Sequence, residues 1–195
     1  MDEQHDLIII GGGPAGLSAA VNSVMRGCKV MILDSGYSLR SRAEKVGNYP
    51  GPSDLAGLEM MDRLVKHALR IGAALVSGRV SNILPMDKGL LVSCGDQVFT
   101  AKAVILATGE VRAKALDREG KLLMSEEAPP QSLVTGLQIE DGFIQIDRTR
   151  KTNIPGLYAC GDCTGPPFRL SKATGDGLIA GLEAAKYVNS LFDRD

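Results

Sequence analysis

Hydrophobic and polar positions change their period along the chain in a way that predicts alternating strands and helices. Short continuous apolar runs at 7–10 and 29–33 predict buried strands. Between these runs, apolar residues recur at three- and four-residue spacing as far as Gly27, which is typical of one face of a helix. A second helical stripe at 58–69 leads into a short predicted strand at 73–76. This alternation is typical of an α/β fold with a parallel sheet.

The rest of the chain predicts a β-meander, further strands and a last helix. Asp-Lys-Gly and Gly-Asp turns separate three short runs rich in β-formers, which predicts the meander. Segment 35–56 is rich in Gly, Ser, Pro and charge, so it predicts a long loop of the kind that is usually functional. The final helix is predicted from about Ser171. The strands predicted in this part of the chain are 79–84, 89–94, 97–100, 103–107, 143–146 and 157–160.

Composition restricts the chain to ordinary globular classes. Its 195 residues suit one domain with a substantial core, and 44% of them are hydrophobic with a net charge of −1. This balance excludes a disordered chain and gives no basis for nucleic-acid binding. The acidic start at 1–6 precedes only a short apolar run, so we expect neither a signal peptide nor a membrane span. Four cysteines without the pattern of a secreted disulfide framework favour the cytoplasm.

A glycine-rich turn between the first predicted strand and the first predicted helix points to a dinucleotide site. Gly11, Gly13 and Gly16 form the pattern G-x-G-x-x-G, and Asp34 ends the next strand 23 residues after Gly11. The glycines allow a sharp turn and a close approach to a pyrophosphate, and the helix that begins here directs N–H groups at it. Asp34 stands where a ribose ligand is expected. The alternative is a chance glycine turn in an α/β protein.

Five separated segments form an ordered set that is more specific than any single motif. The segments are 11–16, 46–51, 104–109, 154–162 and 173–177. They resemble the FAD-binding half of the pyridine nucleotide–disulfide oxidoreductases, in particular the thioredoxin reductase branch. The resemblance covers about residues 6–109 and 137–192. It implies a Rossmann-like FAD-binding fold in three layers: a parallel sheet, helices and a β-meander.

The resemblance also implies a role for each segment. The glycine turn would hold the FAD pyrophosphate, Asp34 would bind the adenosine ribose, and Val80 lies near the adenine contact. Asp162 would bind the ribityl chain or the hydroxyls near the phosphates, and Asn48 would hydrogen-bond near the flavin ring. The last helix would place its positive end at the flavin pyrimidine, which stabilises the anionic reduced form. The implied cofactor-binding residues are Gly11, Gly13, Pro14, Ala15, Gly16, Asp34, Ser35, Asn48, Val80, Ala107, Thr108, Gly109, Gly161, Asp162, Ala173 and Thr174.

Segment 110–136 departs from that family. Thioredoxin reductases place an NADPH-binding domain after the Ala-Thr-Gly segment, with a second glycine-rich turn and a redox Cys-x-x-Cys. Here the segment holds only Gly120 and Gly136 as glycines and no cysteine, and 35–57 holds no cysteine either. We therefore predict a single FAD-binding domain over 1–195, in which 110–136 is a short connection replacing the NADPH-binding domain. The chain is similar to the small single-domain flavoproteins related to thioredoxin reductase.

One Cys-x-x-Cys is present, formed by Cys160 and Cys163 around the Gly-Asp motif. The first interpretation is a catalytic redox pair beside FAD, since the spacing permits a disulfide and a cysteine near a helix start can have a lowered pKa. The second is that both are packing residues, because Cys is common in protein interiors. Cys28 and Cys94 are isolated in the sequence and are expected to pack.

Other candidate chemistry is sparse. Neither histidine pairs with cysteines at metal-ligand spacing, so no metal site is expected. Arg40, Arg42 and Lys45 form a small basic cluster, which is either a solvated loop or a contact for an anionic substrate or acidic partner. Lys172 is a further cation beside the predicted flavin site, but its orientation cannot be read from the sequence.

These observations predict an FAD-dependent oxidoreductase related to thioredoxin reductase. It would act on thiol or disulfide partners with an external electron donor, either free NAD(P)H or a redox partner protein. The alternative is an FAD-binding subunit, electron carrier or sensor without turnover of its own, and a domain that binds only NAD(H) is disfavoured. A homodimer is expected, because relatives dimerise through this domain and the loss of a domain would expose apolar surface.

Overall fold

A mixed seven-stranded sheet organises the fold. The computed structural model describes residues 5–36, 46–50, 56–109, 115–116, 122–123 and 133–192. The strands are β1 (His5–Ile10), β2 (Val30–Asp34), β3 (Ala74–Ser77), β4 (Val80–Pro85), β5 (Leu90–Cys94), β6 (Gln97–Leu106), β7 (Ala115–Leu116), β8 (Leu122–Leu123), β9 (Ile139–Glu140), β10 (Phe143–Ile144) and β11 (Leu157–Ala159). The helices are α1 (Pro14–Val24), α2 (Gly57–Arg70), α3 (Leu170–Phe192) and a 3₁₀ helix, Gly161–Thr164.

The main sheet has the order β3-β2-β1-β6-β5-β4, and β11 pairs with β6 beside this path. The strands β3, β2, β1 and β11 and the second half of β6 run parallel, with Ile9 opposite both Ile32 and Ile105. The strands β4, β5 and the first half of β6 form an antiparallel meander. The predicted α/β, Rossmann-like class is therefore confirmed.

One long strand, β6, replaces two predicted ones. The sequence predicted separate strands at 97–100 and 103–107, and this prediction was wrong, because Gln97–Leu106 is continuous. Its first half pairs with β5 in the meander, and its second half pairs with β1 and β11 in the parallel sheet. The strand is continuous because it belongs to both parts of the sheet. The strand predicted at 143–146 is shorter in the structure, where β10 spans only Phe143–Ile144.

Two hydrophobic cores lie on opposite faces of the parallel sheet. In β1, Leu7 and Ile9 contribute to the core shared with α1, α2 and α3. The alternate residues Ile8 and Ile10 contribute to the core shared with β4 and β5 of the meander. Because neighbouring side chains of a strand point to opposite faces, a continuous apolar run fills both cores. The predicted three layers are thus observed: helices, parallel sheet and meander.

Small residues bring α1 and α3 into close contact. A side chain at Gly177 would collide with the carbonyl oxygen of Ala15, and one at Gly181 would lie about as close to that of Ala19. The Ser23 hydroxyl donates to the carbonyl oxygen of Gly181 at 3.1 Å across the same contact. This packing places the start of α3 beside the start of α1. Arg40, Arg42 and Lys45 lie outside the described residues.

Candidate cofactor site

Four parallel strands end at one edge of the sheet, and most of the predicted site residues follow those ends. The strands β1, β2, β6 and β11 end at Ile10, Asp34, Leu106 and Ala159. From β1 the chain crosses to β2 on one side, while β6 lies on the other. In open α/β sheets, such a switch point at the carboxyl edge is where ligands bind.

The glycine turn after β1 is held against the next loop by backbone contacts. Gly11 has a φ of 110°, a conformation that favours glycine, and its N–H donates to the carbonyl oxygen of Leu33 at 2.8 Å. A side chain at Gly11 would collide with the carbonyl oxygen of Ala107, and one at Gly16 would collide with that of Gly11. Gly13 differs, since no atom lies within 4 Å of where its Cβ would be. Gly11 and Gly16 therefore allow close backbone packing, whereas Gly13 borders open space.

The start of α1 faces that space. The N-cap is Gly13 in an extended conformation, no side chain caps the helix, and Pro14 occupies its first position. Ala15 is buried and has no acidic neighbour in the first turn. A helix start has N–H groups without partners inside the helix, and the helix dipole adds positive potential there. These features fit a pyrophosphate.

Asp34 lies above the glycine turn at the end of β2. Its side chain is close enough that a Cβ on Gly12 would come within 2.9 Å of the Asp34 Oδ2. Asp34 is 8% exposed, and the following Ser35 is exposed. Val80 is buried at the start of β4, on the meander side of the sheet. A carboxylate in this place can accept hydrogen bonds from a ribose that lies over the turn.

The loops after β6 and β11 complete this edge. The N–H of Ala107 donates to the carbonyl oxygen of Ile10 at 2.8 Å, which ties the loop after β6 to β1. Thr108 and Gly109 follow, both half-buried. Gly161 has a φ of 80°, and a Cβ there would lie 2.7 Å from the Cβ of Ala15. The half-buried Asp162 therefore lies in a turn that packs against the first residues of α1.

The start of α3 and a described part of the loop after β2 lie together beside α1. An open cavity of about 390 Å³ lies between α1 and α3. Its lining residues are Ser18, Asn22, Tyr49, Pro50, Ser171, Thr174, Gly175 and Leu178. The Ser18 hydroxyl donates to the carbonyl oxygen of Thr174 at 2.7 Å, and Ala173 is buried. Asn48 is exposed next to Tyr49 and does not line the cavity.

Sequence reasoning missed a buried charged cluster at this edge. Asp176 of α3 is 4% exposed and pairs with Arg150 and Lys172. Asp176 belongs to segment 173–177, but the family resemblance assigns it no role, and the sequence does not give the orientation of Lys172. The spacing of four residues between Lys172 and Asp176 could have indicated their ion pair. Nothing in the sequence brings Arg150 to the cluster.

Cys160 immediately precedes the Gly161–Thr164 turn and Cys163 belongs to it, and both are buried free thiols. Burial raises the pKa of Cys160, and burial also raises the pKa of Cys163 to about 11, although hydrogen bonding with Thr108 opposes this shift. The Cys163 thiol donates to the carbonyl oxygens of Cys160 at 3.3 Å and of Leu106 at 3.5 Å. Both groups are therefore protonated at neutral pH. Their catalytic role stays a prediction.

Cys28 and Cys94 are also buried as free thiols. Burial raises the pKa of Cys28 to about 11 and raises that of Cys94. Within the described residues, no group of three or more His, Cys, Asp and Glu side chains lies together as a metal site would require. No helix in that part of the chain combines the length and apolar character needed to cross a bilayer.

The parallel sheet, the glycine turn at its switch point and the acid at the end of β2 define an α/β dinucleotide-binding protein. The sequence pattern of the pyridine nucleotide-disulphide oxidoreductase family matches residues 5–132 and 127–177. The chain belongs to that family. Its likeness to the thioredoxin reductases, implied by the motifs, is confirmed by similar proteins of known sequence and structure.

Among these, thioredoxin reductase of Listeria innocua is 30% identical over 303 aligned positions, covering 96% of this chain and 95% of the relative. Thioredoxin reductase of Bacillus subtilis is 32% identical over 107 residues, covering 54% of this chain. A solved ferredoxin-flavin thioredoxin reductase from Clostridium acetobutylicum has a TM-score of 0.86 at 23% identity, covering 97% of this chain and 99% of that one. The last comparison supports the fold.

The matched region is a limited part of several relatives. It spans 34% of the length of the Bacillus subtilis protein. The alignment to the Listeria innocua protein is longer than the 195 residues of this chain, so the relative has residues at many positions where this chain has none.

Members of the thioredoxin reductase family are FAD-binding flavoproteins, and FAD is the cofactor of this chain. The structure fits that cofactor in two respects. The space beside Gly13, at an uncapped helix start, suits the pyrophosphate. The Asp34 carboxylate lies over the turn where the adenosine ribose would lie.

Proposed function

We propose that this chain is an FAD-dependent oxidoreductase whose electrons come from an external donor and pass to a thiol or disulfide partner. The donor would be free NAD(P)H or a redox partner protein. The main support is that the uncapped start of α1 beside Gly13 and the Asp34 carboxylate fit FAD at the carboxyl edge of the sheet. Segment 110–136, by contrast, has neither a second glycine-rich turn nor a cysteine. A donor site built on that segment is therefore not expected.

The chain's own residues would bind and orient the cofactor. The N–H groups at the start of α1 would bind the pyrophosphate, and Asp34 would accept hydrogen bonds from the adenosine ribose. Asp162 would bind the ribityl side, and the α3 start at Ala173 and Thr174 would face the flavin pyrimidine. Bound FAD would supply a carrier for two electrons, and the positive end of α3 would favour its anionic reduced form.

The buried state of Cys160 and Cys163 favours a thiol supplied by the partner. A thiolate is the reactive form of cysteine, and both pKa values are raised by burial. Each side chain is at most 2% exposed, so an incoming disulfide could not reach either sulfur without opening the turn. In this proposal Cys160 and Cys163 are packing residues of the turn. Evidence that they are oxidised and reduced during the reaction would contradict this part of the proposal.

An anaerobic titration of the FAD-loaded protein tests the proposed function. NADH, NADPH and a dithiol are added separately while the flavin absorbance is followed. Bleaching by a nicotinamide or by a dithiol supports a flavin enzyme with an external donor. If the flavin is still bleached in Cys160→Ser and Cys163→Ser, the two cysteines have a packing role. If these variants lose bleaching by the dithiol but keep bleaching by a nicotinamide, the pair is catalytic. If no donor bleaches the flavin, the chain is an FAD-binding subunit or sensor.

The proposal includes a single FAD-binding domain over 1–195 and a homodimer. In this proposal 110–136 is a short connection replacing the NADPH-binding domain, since it has neither a second glycine-rich turn nor a cysteine. The exposed apolar residues Leu58 and Leu178 give surface that a second copy could cover. Sedimentation that shows only monomer at working concentrations would remove the dimer. Buried thiols without a disulfide suit the reducing cytoplasm.

A further inference from the structure

A cluster of three charged side chains lies directly beneath the Gly161–Thr164 turn. We propose that Asp176, held by Arg150 and Lys172, is a positioning residue that fixes the conformation in which this turn presents Asp162 to FAD. The inference rests on the proposed function, since it assigns Asp162 to the cofactor. It concerns residues that act through the turn and to which the family motifs assign no role.

The contacts of Asp176 join three separate segments. Its Oδ1 accepts from the Arg150 Nη2 at 2.7 Å, and its Oδ2 lies 2.9 Å from the Lys172 Nζ. The same Oδ2 accepts from the N–H of Gly161 at 3.3 Å. The side chain of Asp176 is 6% exposed, against 23% for Arg150 and 18% for Lys172. Such a buried carboxylate needs several partners to offset its lost hydration.

Both backbone groups of Gly161 depend on this cluster. Its N–H donates to Asp176, and its carbonyl oxygen accepts from the Lys172 Nζ at 2.7 Å. Lys172 also donates to the Thr164 hydroxyl at 3.0 Å, and this hydroxyl donates to the Gly161 carbonyl at 2.7 Å. The turn therefore has a charged contact at each end. Asp162 lies between these contacts, so its direction follows from them.

The backbone of Arg150 supports a positional role. Arg150 has a φ of 64°, a left-handed conformation that is unfavourable for a long side chain. Its Nε is buried without a hydrogen-bond partner among the described residues. Its carbonyl oxygen accepts from the N–H of Ala159 at 3.0 Å, which ties it to the last residue of β11. A conformation with these costs persists where the surroundings require it, and here it delivers the guanidinium to Asp176.

A contribution to the stability of the fold does not by itself account for this charged cluster. Buried ion pairs contribute little net stability, because desolvation offsets the attraction, but losing one partner is costly. The turn also lies against α1, where Gly161 faces Ala15. A small rotation of the turn would move Asp162 relative to the pyrophosphate site. We therefore expect removal of the cluster to weaken FAD binding more than it weakens the fold.

The test compares FAD affinity with stability in matched variants. Asp176→Asn removes the central charge, and Lys172→Met removes the donor to Gly161 and Thr164. Asp6→Asn is the control, because Asp6 also forms an ion pair with a lysine, Lys102, at 2.8 Å. The exposed fraction of Lys102 is similar to that of Lys172, but this pair lies at the opposite end of β1 from the turn. The dissociation constant for FAD is measured by quenching of flavin fluorescence, and the thermal midpoint of the cofactor-free protein is measured separately.

We expect Asp176→Asn to weaken FAD binding by about tenfold or more, as for loss of a charged hydrogen bond. Lys172→Met should weaken it by a smaller factor, and the double variant should lose less than the product of the two, since both residues act through Gly161. Asp6→Asn should leave the dissociation constant unchanged within about twofold, even where it lowers the thermal midpoint.

The outcomes separate this inference from the proposed function. If the unmodified chain does not bind FAD, the proposed function fails. If it binds FAD and both cluster variants bind equally well, the inference alone fails. An equal loss of affinity in Asp6→Asn would also overturn it, because the effect would then follow stability. If Asp176→Asn does not fold, the more exposed Lys172→Met decides by the same two measurements.

Discussion

The two glycine-containing turns at the carboxyl edge are built by different means. The turn after β1 is held by close backbone packing, in which Gly11 and Gly16 leave no room for a side chain. The turn after β11 is held by Asp176 and Lys172, which come from a helix that begins later in the chain. The first relies on glycines within six consecutive residues that pack on backbone groups, those of Gly11 and Ala107. The second relies on side chains of other segments that reach it only in the fold. We expect the first to fail through collision, and the second to fail through loss of charge as well as through collision at Gly161.

The largest expected effect comes from the glycine turn. Gly16→Ala places a methyl group against the carbonyl oxygen of Gly11, and backbone cannot move aside easily. We expect the free energy of unfolding to fall by about 2 to 3 kcal/mol, measured by urea unfolding. Gly13→Ala is the control, because its Cβ would enter open space. It should leave stability within about 0.5 kcal/mol and weaken FAD binding. Equal destabilisation by both would contradict the division of roles.

The second turn offers a collision that can be reversed. Gly161→Ala brings its Cβ to 2.7 Å from the Cβ of Ala15 and places alanine at a φ of 80°. We expect a loss of about 2 kcal/mol of unfolding free energy. Adding Ala15→Gly removes the collision but leaves the backbone cost, so it should recover part of the loss. A thermal-denaturation cycle of the four proteins measures this coupling, and strict additivity would show that the contact does not matter.

The buried Cys163 thiol of the second turn makes stability depend on alkaline pH. Burial raises the pKa of Cys163 to about 11 from an ordinary value of 9.0, so the folded state holds the proton more tightly than the unfolded state. Its contribution to stability is complete below about pH 9 and is lost as the pH rises toward about 11. In Cys163→Ala, urea unfolding should show a smaller decline over this range. An unchanged decline would assign it to other groups.

The smallest expected effect lies at the opposite end of β1. Burial alone would raise the pKa of Asp6, but hydrogen bonds from Lys102 and the Lys29 N–H outweigh it, so the net shift is downward from 3.8. The stabilisation is present above about pH 4 and is lost as the pH falls through the lowered pKa. Asp6→Asn should cost at most about 1 kcal/mol at neutral pH and flatten the acid dependence of the thermal midpoint. A loss as large as that of Gly16→Ala would be unexpected.

The local pattern of apolar residues predicted most of the strands and helices, but it failed at a strand that pairs with both parts of the sheet. The apolar runs of β1 and β2 and the helical stripes needed only their own residues, because burial on one or both faces sets their period. The strand β6 was predicted as two pieces, since its halves have different partners and different burial patterns. Pairing with those partners makes it one strand, and no window of the sequence contains that information.

The sequence by itself determined the class of protein and the first half of the site. The glycine turn and Asp34 act through neighbouring backbone and a fixed βαβ geometry, so spacing along the chain is enough to specify them. Only the tertiary structure decided that Arg150, Lys172 and Asp176 meet beneath Asp162, and that Cys160 and Cys163 are buried. These properties depend on distances between segments remote in the chain and on the exclusion of water, which arise only when the sheet and α3 are packed.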